Sequence, residues 1–141
     1  MIGVILTNKD AKLPEYKSAE AAAADVYSVD NLTIEPGTTV MVDLGLQLVI
    51  PEGYEVQVRA RSGLSSKGII VSKSPGTVDS DYLGPVKFLL TNTTKLPFEI
   101  KKGDRVAQLA PRECPRLPFH ETTTHVRETA RGSGGFGSTG K

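Results

Sequence analysis

From Val40 to Ile50 the chain reads VMVDLGLQLVI, and Val40, Val42, Leu44, Leu46, Leu48 and Ile50 occupy every second position. A period of two sustained over this stretch predicts a strand with one buried face, because successive side chains of a strand point to opposite sides. YEVQV repeats the pattern, with Tyr54, Val56 and Val58 on a shared face. Further strands are predicted at Ile2–Thr7, Asp25–Ser28, Thr33–Ile34, Val86–Asn92, Phe98–Ile100 and Arg105–Pro111. Turn chemistry separates them: EPG at Glu35–Gly37, PEG at Pro51–Gly53, SPG at Ser74–Gly76 and KKGD at Lys101–Asp104. The helical candidate inside this array is short, SGLSSKG at Ser62–Gly68. Many short strands, no long amphipathic helix and no repeat of fixed period predict an all-β sandwich, jelly roll or barrel.

The pattern changes at Glu121. From there the chain is polar, rich in Thr and then in Gly, without the apolar residues that would anchor it. This predicts a β domain over 1–120 and a mobile C-terminal arm over 121–141.

Composition narrows the classes. The 141 residues favour one domain with one core. A formal net charge of +1 argues against nucleic-acid binding driven by bulk charge. No window approaches the apolar length of a membrane span, and the N-terminus lacks the pattern of a signal peptide. The lone cysteine, Cys114, allows no internal disulfide, which suits a reducing compartment.

Four internal stretches carry candidate chemistry. In AAAADVYS, Asp25 follows a run of small residues, either capping a turn or serving a site. In RARSGLSSKG, Arg61 and Ser62 precede a glycine and the short helix. A guanidinium, a hydroxyl and first-turn amides can hold an anion; the alternative is an N-cap serine beside a surface arginine. In PGTVDSDYLGPV, Asp79 and Asp81 share a face if the segment is a hairpin, with Tyr82 opposite. An aspartate there can polarise a water or bind a metal, and Asp and Gly are also ordinary turn residues. In KKGDRVAQL, Gln108 sits among alternating apolar residues and can bond a phosphate or carbonyl, or serve structure alone. His120 and His125 have no zinc-type spacing around them.

The tail RGSGGFGSTGK approaches a phosphate-loop signature, a glycine, four residues, then Gly140 and Lys141. It lacks the following Ser or Thr and the supporting helix. Taken in order, AAAADVYS, ARSGLSSKGI, GTVDSDYLG, GDRVAQL and RGSGGFGSTG resemble the five motifs of the trimeric dUTP pyrophosphatases (dUTPases), and the resemblance covers nearly the whole chain. It implies a distorted jelly-roll or β-barrel subunit with one short helix, assembled as a homotrimer. Its tail folds over a nucleotide bound between subunits. It implies hydrolysis of dUTP to dUMP and pyrophosphate with Mg2+, keeping dUTP low and supplying dUMP for thymidylate synthesis. The implied setting is the cytoplasm, or a host-cell interior for a viral protein, with no nucleic-acid or membrane partner.

Carried over by position, the resemblance makes Asp79 the general base and Tyr82 the platform under the deoxyribose. The backbone at Thr77 and Val78 reads uracil. Arg61, Ser62 and Gly63 contact phosphates, Gln108 is a further phosphate contact or orients metal-bound water, and Lys73 and Lys87 lie near the nucleotide. Asp25 lies near hydrated magnesium, to which it connects through water. In the arm, Arg131 pairs with the terminal phosphate, Phe136 stacks on uracil, and Gly137 and Ser138 donate to phosphates. Ala23, Ala24, Ala60, Leu83 and Lys73 depart from the usual motif residues. A dCTP deaminase-like relative and a non-catalytic nucleotide-binding protein of the same fold are the alternatives.

Overall fold

The structure is a computed structural model and describes residues 1–124 and 127–135. Among these, the elements in chain order are β1 (Gly3–Leu6), β2 (Ala24–Tyr27), β3 (Leu32–Ile34), β4 (Thr39–Val49), β5 (Tyr54–Arg59), α1 (Ser62–Ser65), β6 (Ile69–Val71), β7 (Gly76–Val78), β8 (Pro85–Asn92), β9 (Phe98–Ile100) and β10 (Arg105–Glu113). They form two four-stranded sheets, β1-β4-β8-β6 and β2-β10-β5-β7, with β3-β9 as a separate ribbon. The pairings within them are antiparallel. The all-β expectation holds. The short strand β6, which follows the helix, was not among the sequence-based strands.

Alternation builds the core. Val42, Leu44, Leu46 and Leu48 of β4 meet Val86, Phe88 and Leu90 of β8 on one sheet, and Val26, Val56, Val58, Ala107 and Leu109 of the other sheet face them. Burying side chains of this size contributes roughly 1.5–3 kcal/mol each against the entropy of ordering the chain. Asn92 is fully buried yet satisfied. Its amide donates to the carbonyls of Ile34 and Leu96, and its oxygen accepts from the Thr94 backbone, tying β8 to the ribbon.

Two register irregularities matter. Between Asp43 and Gln47, β4 advances four residues while β8 advances two, from Lys87 to Pro85. The excess is even, so every side chain keeps its face, and the alternating pattern runs through without a break. Between Arg105 and Ala107, β10 advances two residues while β2 advances one, from Tyr27 to Val26. That bulge has an odd excess and turns the side chains before it to the opposite face.

The irregularity in β4 requires Gly45. Its φ is +64°, its carbonyl accepts from the Thr7 amide at 2.8 Å, and its own amide donates to Asp43 Oδ1 at 2.7 Å. A Cβ there would lie 2.7 Å from Asn8 Cβ and 2.8 Å from Val29 Cγ1.

Among the described residues, no helix is long and apolar enough to cross a membrane. Ala24, at a motif position where the resemblance implies an aromatic ring, is buried and lines an apolar cavity of about 590 Å3 with Leu48, Val56 and Leu109.

Gly45→Ala combines a disfavoured φ with overpacking and is expected to destabilise the fold by about 2–4 kcal/mol. Urea unfolding checks this; a midpoint equal to the parent's would contradict the tight packing around Gly45.

Candidate functional site

Asp25 lies on β2 directly opposite Gln108 of β10, on the outer face of its sheet. Its neighbours Ala24 and Val26 are buried, and Val26 belongs to the core. An outward carboxylate is ordinarily solvated, but Asp25 is only 3% exposed. Three side chains cover it. Arg61 Nε donates to Oδ1 at 3.2 Å, Gln108 Nε2 donates to Oδ1 at 3.0 Å, and Arg105 NH1 donates to Oδ2 at 3.1 Å. Arg61 NH1 also donates to the Arg105 carbonyl at 3.0 Å.

The elements explain the convergence. β5 pairs with β10 so that Arg59 stands opposite Gln108, and Arg61 follows just beyond the strand end. Arg105 reaches the same face through the odd bulge. Without it, residues three apart on a strand would point to opposite sides. Arg61 and Gln108 were candidates from sequence; Arg105 was not singled out, and plain alternation from Gln108 would place it on the opposite face.

A second layer holds Asp25 from behind. The Asp25 and Glu15 backbones exchange both hydrogen bonds, at 2.8 and 3.0 Å. Glu15 is gripped by Lys17 and by the Tyr27 hydroxyl, and Lys12 and Lys17 lie over the Tyr27 ring. The Lys17 ammonium and then the Tyr27 hydroxyl hold the Glu15 carboxyl below its usual range, and the same ion pair raises Lys17. Lys102 likewise lowers Asp10, fastening this segment to the turn before β10.

The helix after Arg61 is a single turn. Its N-cap is Arg61, in extended conformation and without a side-chain cap, so the N-cap serine reading of Ser62 does not hold. Ser62 and Gly63 are exposed first-turn residues, and among the described residues their N–H groups have no protein acceptor.

Asp79 stands elsewhere. Val78 pairs with Val56, so Asp79 continues past the Glu55 end of β5, whereas Arg61 follows the opposite end. Six residues of strand at ~3.3 Å each separate the two by about 20 Å. Asp79 is exposed and lines a cavity of about 520 Å3 with Asp81, Glu52, Glu55, Cys114 and Arg116. The segment is not a paired hairpin, because β7 joins β5 while β8 joins β4 and β6 in the other sheet. Residues 79–84 are the turn between sheets, closed by Tyr82 N–H to the Asp79 carbonyl at 3.1 Å and by the Tyr82 hydroxyl to the Pro85 carbonyl at 3.0 Å. The ring covers Gly84 so closely that a Cβ there would lie 2.5 Å from the hydroxyl oxygen.

β7 is an edge strand, so one side of its backbone has no partner strand in the sheet. In an antiparallel pair, alternate residues direct both N–H and C=O to the partner or away from it. One of Thr77 and Val78 therefore offers a donor and an acceptor together on the open edge. Lys73 is exposed in the loop before β7, and Lys87 is ion-paired with Asp43 at 3.1 Å. Arg131 is exposed, its Nε donating to the Gly134 carbonyl at 2.8 Å. Phe136, Gly137 and Ser138 lie outside the described residues.

No cluster of three or more His, Cys, Asp or Glu suited to a metal occurs among the described residues. Asp25 accepts three hydrogen bonds and has about four acceptor positions. The one left is on Oδ2.

This architecture defines an all-β jelly-roll protein with a buried, arginine-bound carboxylate on one sheet face and an exposed carboxylate turn at the sheet's far edge. A family profile for dUTPase matches residues 9–140, and the chain belongs to the dUTPase family. Deoxyuridine 5'-triphosphate nucleotidohydrolases of Chlamydia trachomatis serovar L2 and of Nautilia profundicola are each 45% identical to it. They match over 93% and 95% of this chain and 92% and 94% of their own. The Rickettsia bellii enzyme of that name is 44% identical over 96% of this chain and 91% of its own. The fold matches a mutant dUTPase of Staphylococcus bacteriophage 80alpha with dUpNHpp, at TM-score 0.92 and 24% identity over 100% and 99% of the two chains. It also matches a mutant dUTPase of phage phi11 of S. aureus, described with a structural Mg(II) ion. There the TM-score is 0.81 at 22% identity, over 88% of this chain and 97% of that one.

Removing one partner of a buried ion pair leaves the others uncompensated. Asp25→Ala is therefore expected to cost about 2–4 kcal/mol of stability in denaturant unfolding. A loss under about 1 kcal/mol would contradict a buried carboxylate bonded to two guanidinium groups.

Proposed function

We propose that this chain hydrolyses dUTP to dUMP and pyrophosphate as a homotrimer whose active sites are shared between subunits. One observation carries the shared site: a single chain holds its anion-facing arginine and its exposed Asp79 about 20 Å apart along β5. A base must lie within hydrogen-bond reach of the water it activates, and that water must touch the phosphorus. Asp79 and Arg61 of one chain are too far apart to serve one triphosphate. Charge points the same way. The Asp79 cavity carries Asp79, Asp81, Glu52 and Glu55 against Arg116, whereas the Asp25 cluster has two guanidinium groups against one carboxylate. The base of one subunit meets the phosphate cradle of another.

Asp79 takes a proton from the attacking water as it approaches the α-phosphorus. The open edge of β7 at Thr77 and Val78 pairs with uracil; cytosine reverses the donor and acceptor and leaves groups unpaired. Tyr82, fixed by its bond to the Pro85 carbonyl, lies under the deoxyribose and leaves no space for a 2′-hydroxyl. Arg61, the amides of Ser62 and Gly63, and Gln108 hold phosphate oxygens. Lys73 is free to approach them, while Lys87 must first leave Asp43. Arg131 and the residues Phe136, Gly137 and Ser138 complete the site from the arm. Magnesium, when brought in on the substrate's phosphates, would supply charge neutralisation for the leaving pyrophosphate. Asp25 would be the residue that holds the ion, through a water. The cytoplasm is the proposed location, with no nucleic-acid or membrane partner.

Pyrophosphate release from dUTP, measured beside dCTP, dTTP and UTP with magnesium, tests the reading. Release from dUTP alone is expected, and ammonia from dCTP would move the chain to the deaminases. Asp79→Asn is expected to lower kcat by roughly 10²–10⁴-fold. Equal rates in parent and variant would remove Asp79 as the base.

A further inference from the structure

We propose that Arg105 is a positioning residue that keeps Arg61 turned toward the substrate's phosphates; the inference rests on the function proposed above and assigns that site a further member. Arg105 touches both ends of the Arg61–Asp25 pair. Its NH1 holds Asp25 Oδ2 at 3.1 Å, and its carbonyl accepts from Arg61 NH1 at 3.0 Å. Arg61 is thereby spread over two acceptors, its Nε on Asp25 Oδ1 and its NH1 on a carbonyl from β10. Its remaining nitrogen, NH2, has no acceptor among the described residues.

The alternative arrangement is what Arg105 prevents. A carboxylate with both oxygens available to one guanidinium takes it bidentately, in a fork-to-fork pair. If Arg105 did not occupy Oδ2, Asp25 could draw two nitrogens of Arg61 into such a pair and pull the guanidinium off the Arg105 carbonyl. Arg61 would then be turned inward and electrically spent, since the pair alone is neutral. With Arg105 in place, the cluster keeps one net positive charge in a partly dry setting, where charge acts strongly on an arriving polyphosphate. The side-chain exposures fit this division: Asp25 is 4% exposed, Arg61 21% and Arg105 46%.

The backbone is arranged for this role. The odd bulge at Arg105/Ala107 sets Arg105 on the face of Gln108. Tyr27, the residue opposite Arg105, is pinned by its hydroxyl to Glu15, whose own backbone clamps Asp25. The groups facing Arg105 are thus Asp25, Arg61 and the Glu15–Tyr27 pair, and Glu15 feels its positive charge.

The test is a double-mutant cycle with Arg105→Met and Arg61→Ala, read by kcat/KM for dUTP and by calorimetric binding of inorganic tripolyphosphate. Methionine keeps much of the apolar stem and offers no donor to Oδ2. Arg105→Met alone is expected to lower both by about 10–100-fold, the scale of a charge-assisted contact. In the Arg61→Ala background it is expected to change either by less than about threefold. Arg105→Lys, which retains the charge and a donor for Oδ2, is expected to stay within about threefold of the parent in tripolyphosphate binding. Full loss in both backgrounds would overturn the proposal, because Arg105 would then act without Arg61. Parent-like behaviour of Arg105→Met would overturn it as well. Should Arg105→Met not fold, Arg105→Lys carries the test, and a loss as large as that of Arg61→Ala would sink the idea. A parent protein inert toward dUTP would remove the functional reading, while the tripolyphosphate arm would still decide the role of Arg105.

Discussion

A carboxylate on the outer face of a sheet, shielded to 3% exposure, is a costly object. Withdrawing an ion from water costs several kcal/mol unless charge and hydrogen bonds replace the lost solvent. Asp25 is tolerated because Arg61, Arg105 and Gln108 all reach it. This one requirement ties together three strands and the turn after β5. β2 supplies the carboxylate, β10 supplies Gln108 and the bulge that aims Arg105, and β5 ends where Arg61 can close over the group. The segment before β2 is drawn in as well, since Glu15 pairs with the Asp25 backbone. The same arrangement leaves one guanidinium charge in excess beside the carboxylate, so the proposed anion site and the stability of this sheet face draw on one set of contacts.

The sandwich separates the two candidate groups that the proposed chemistry needs together. β5 leads to Arg61 at one end and borders Asp79 at the other, and no rearrangement within one chain can shorten a strand. In the proposed trimer symmetry resolves this: the Arg61 end of one subunit would meet the edge turn of its neighbour. That turn is suited to such exposure. It links two sheets, is closed by Tyr82 over Gly84, and presents the open edge of β7 beside the carboxylate. Edge strands are ordinarily a liability for unwanted pairing; a three-residue edge is short for recruiting a foreign strand, and the proposed function uses it to meet one base.

The dUTPase profile and the bacterial relatives match nearly the whole chain, the span over which the motifs are strung. Motif order reports which residues are present, not how they touch. Gln108 and Arg61 were recognisable as polar residues in apolar or turn-like settings. That both bond one carboxylate follows from β10 lying between β2 and β5, a neighbour relation between strands distant in sequence. Lys87 shows the converse. It occupies an expected position, yet in this chain it is paired with Asp43 across the strand.

What the sequence determined by itself was the alternation. β4 was legible across eleven residues because its irregularity inserts an even excess, which leaves the two-residue period intact and the core face continuous. The identity of the candidate groups was legible too, through the order of five motifs along the chain rather than through any single residue, since Asp, Arg and Gln each have ordinary structural uses in a β domain. What only the tertiary structure decided was phase and partnership. The odd bulge of β10 moved Arg105 onto the working face, and β7 and β8, adjacent in sequence, went to different sheets. Both outcomes depend on which strand lies alongside which. Pairing is a long-range property of the packed sandwich, and local patterning holds no record of it.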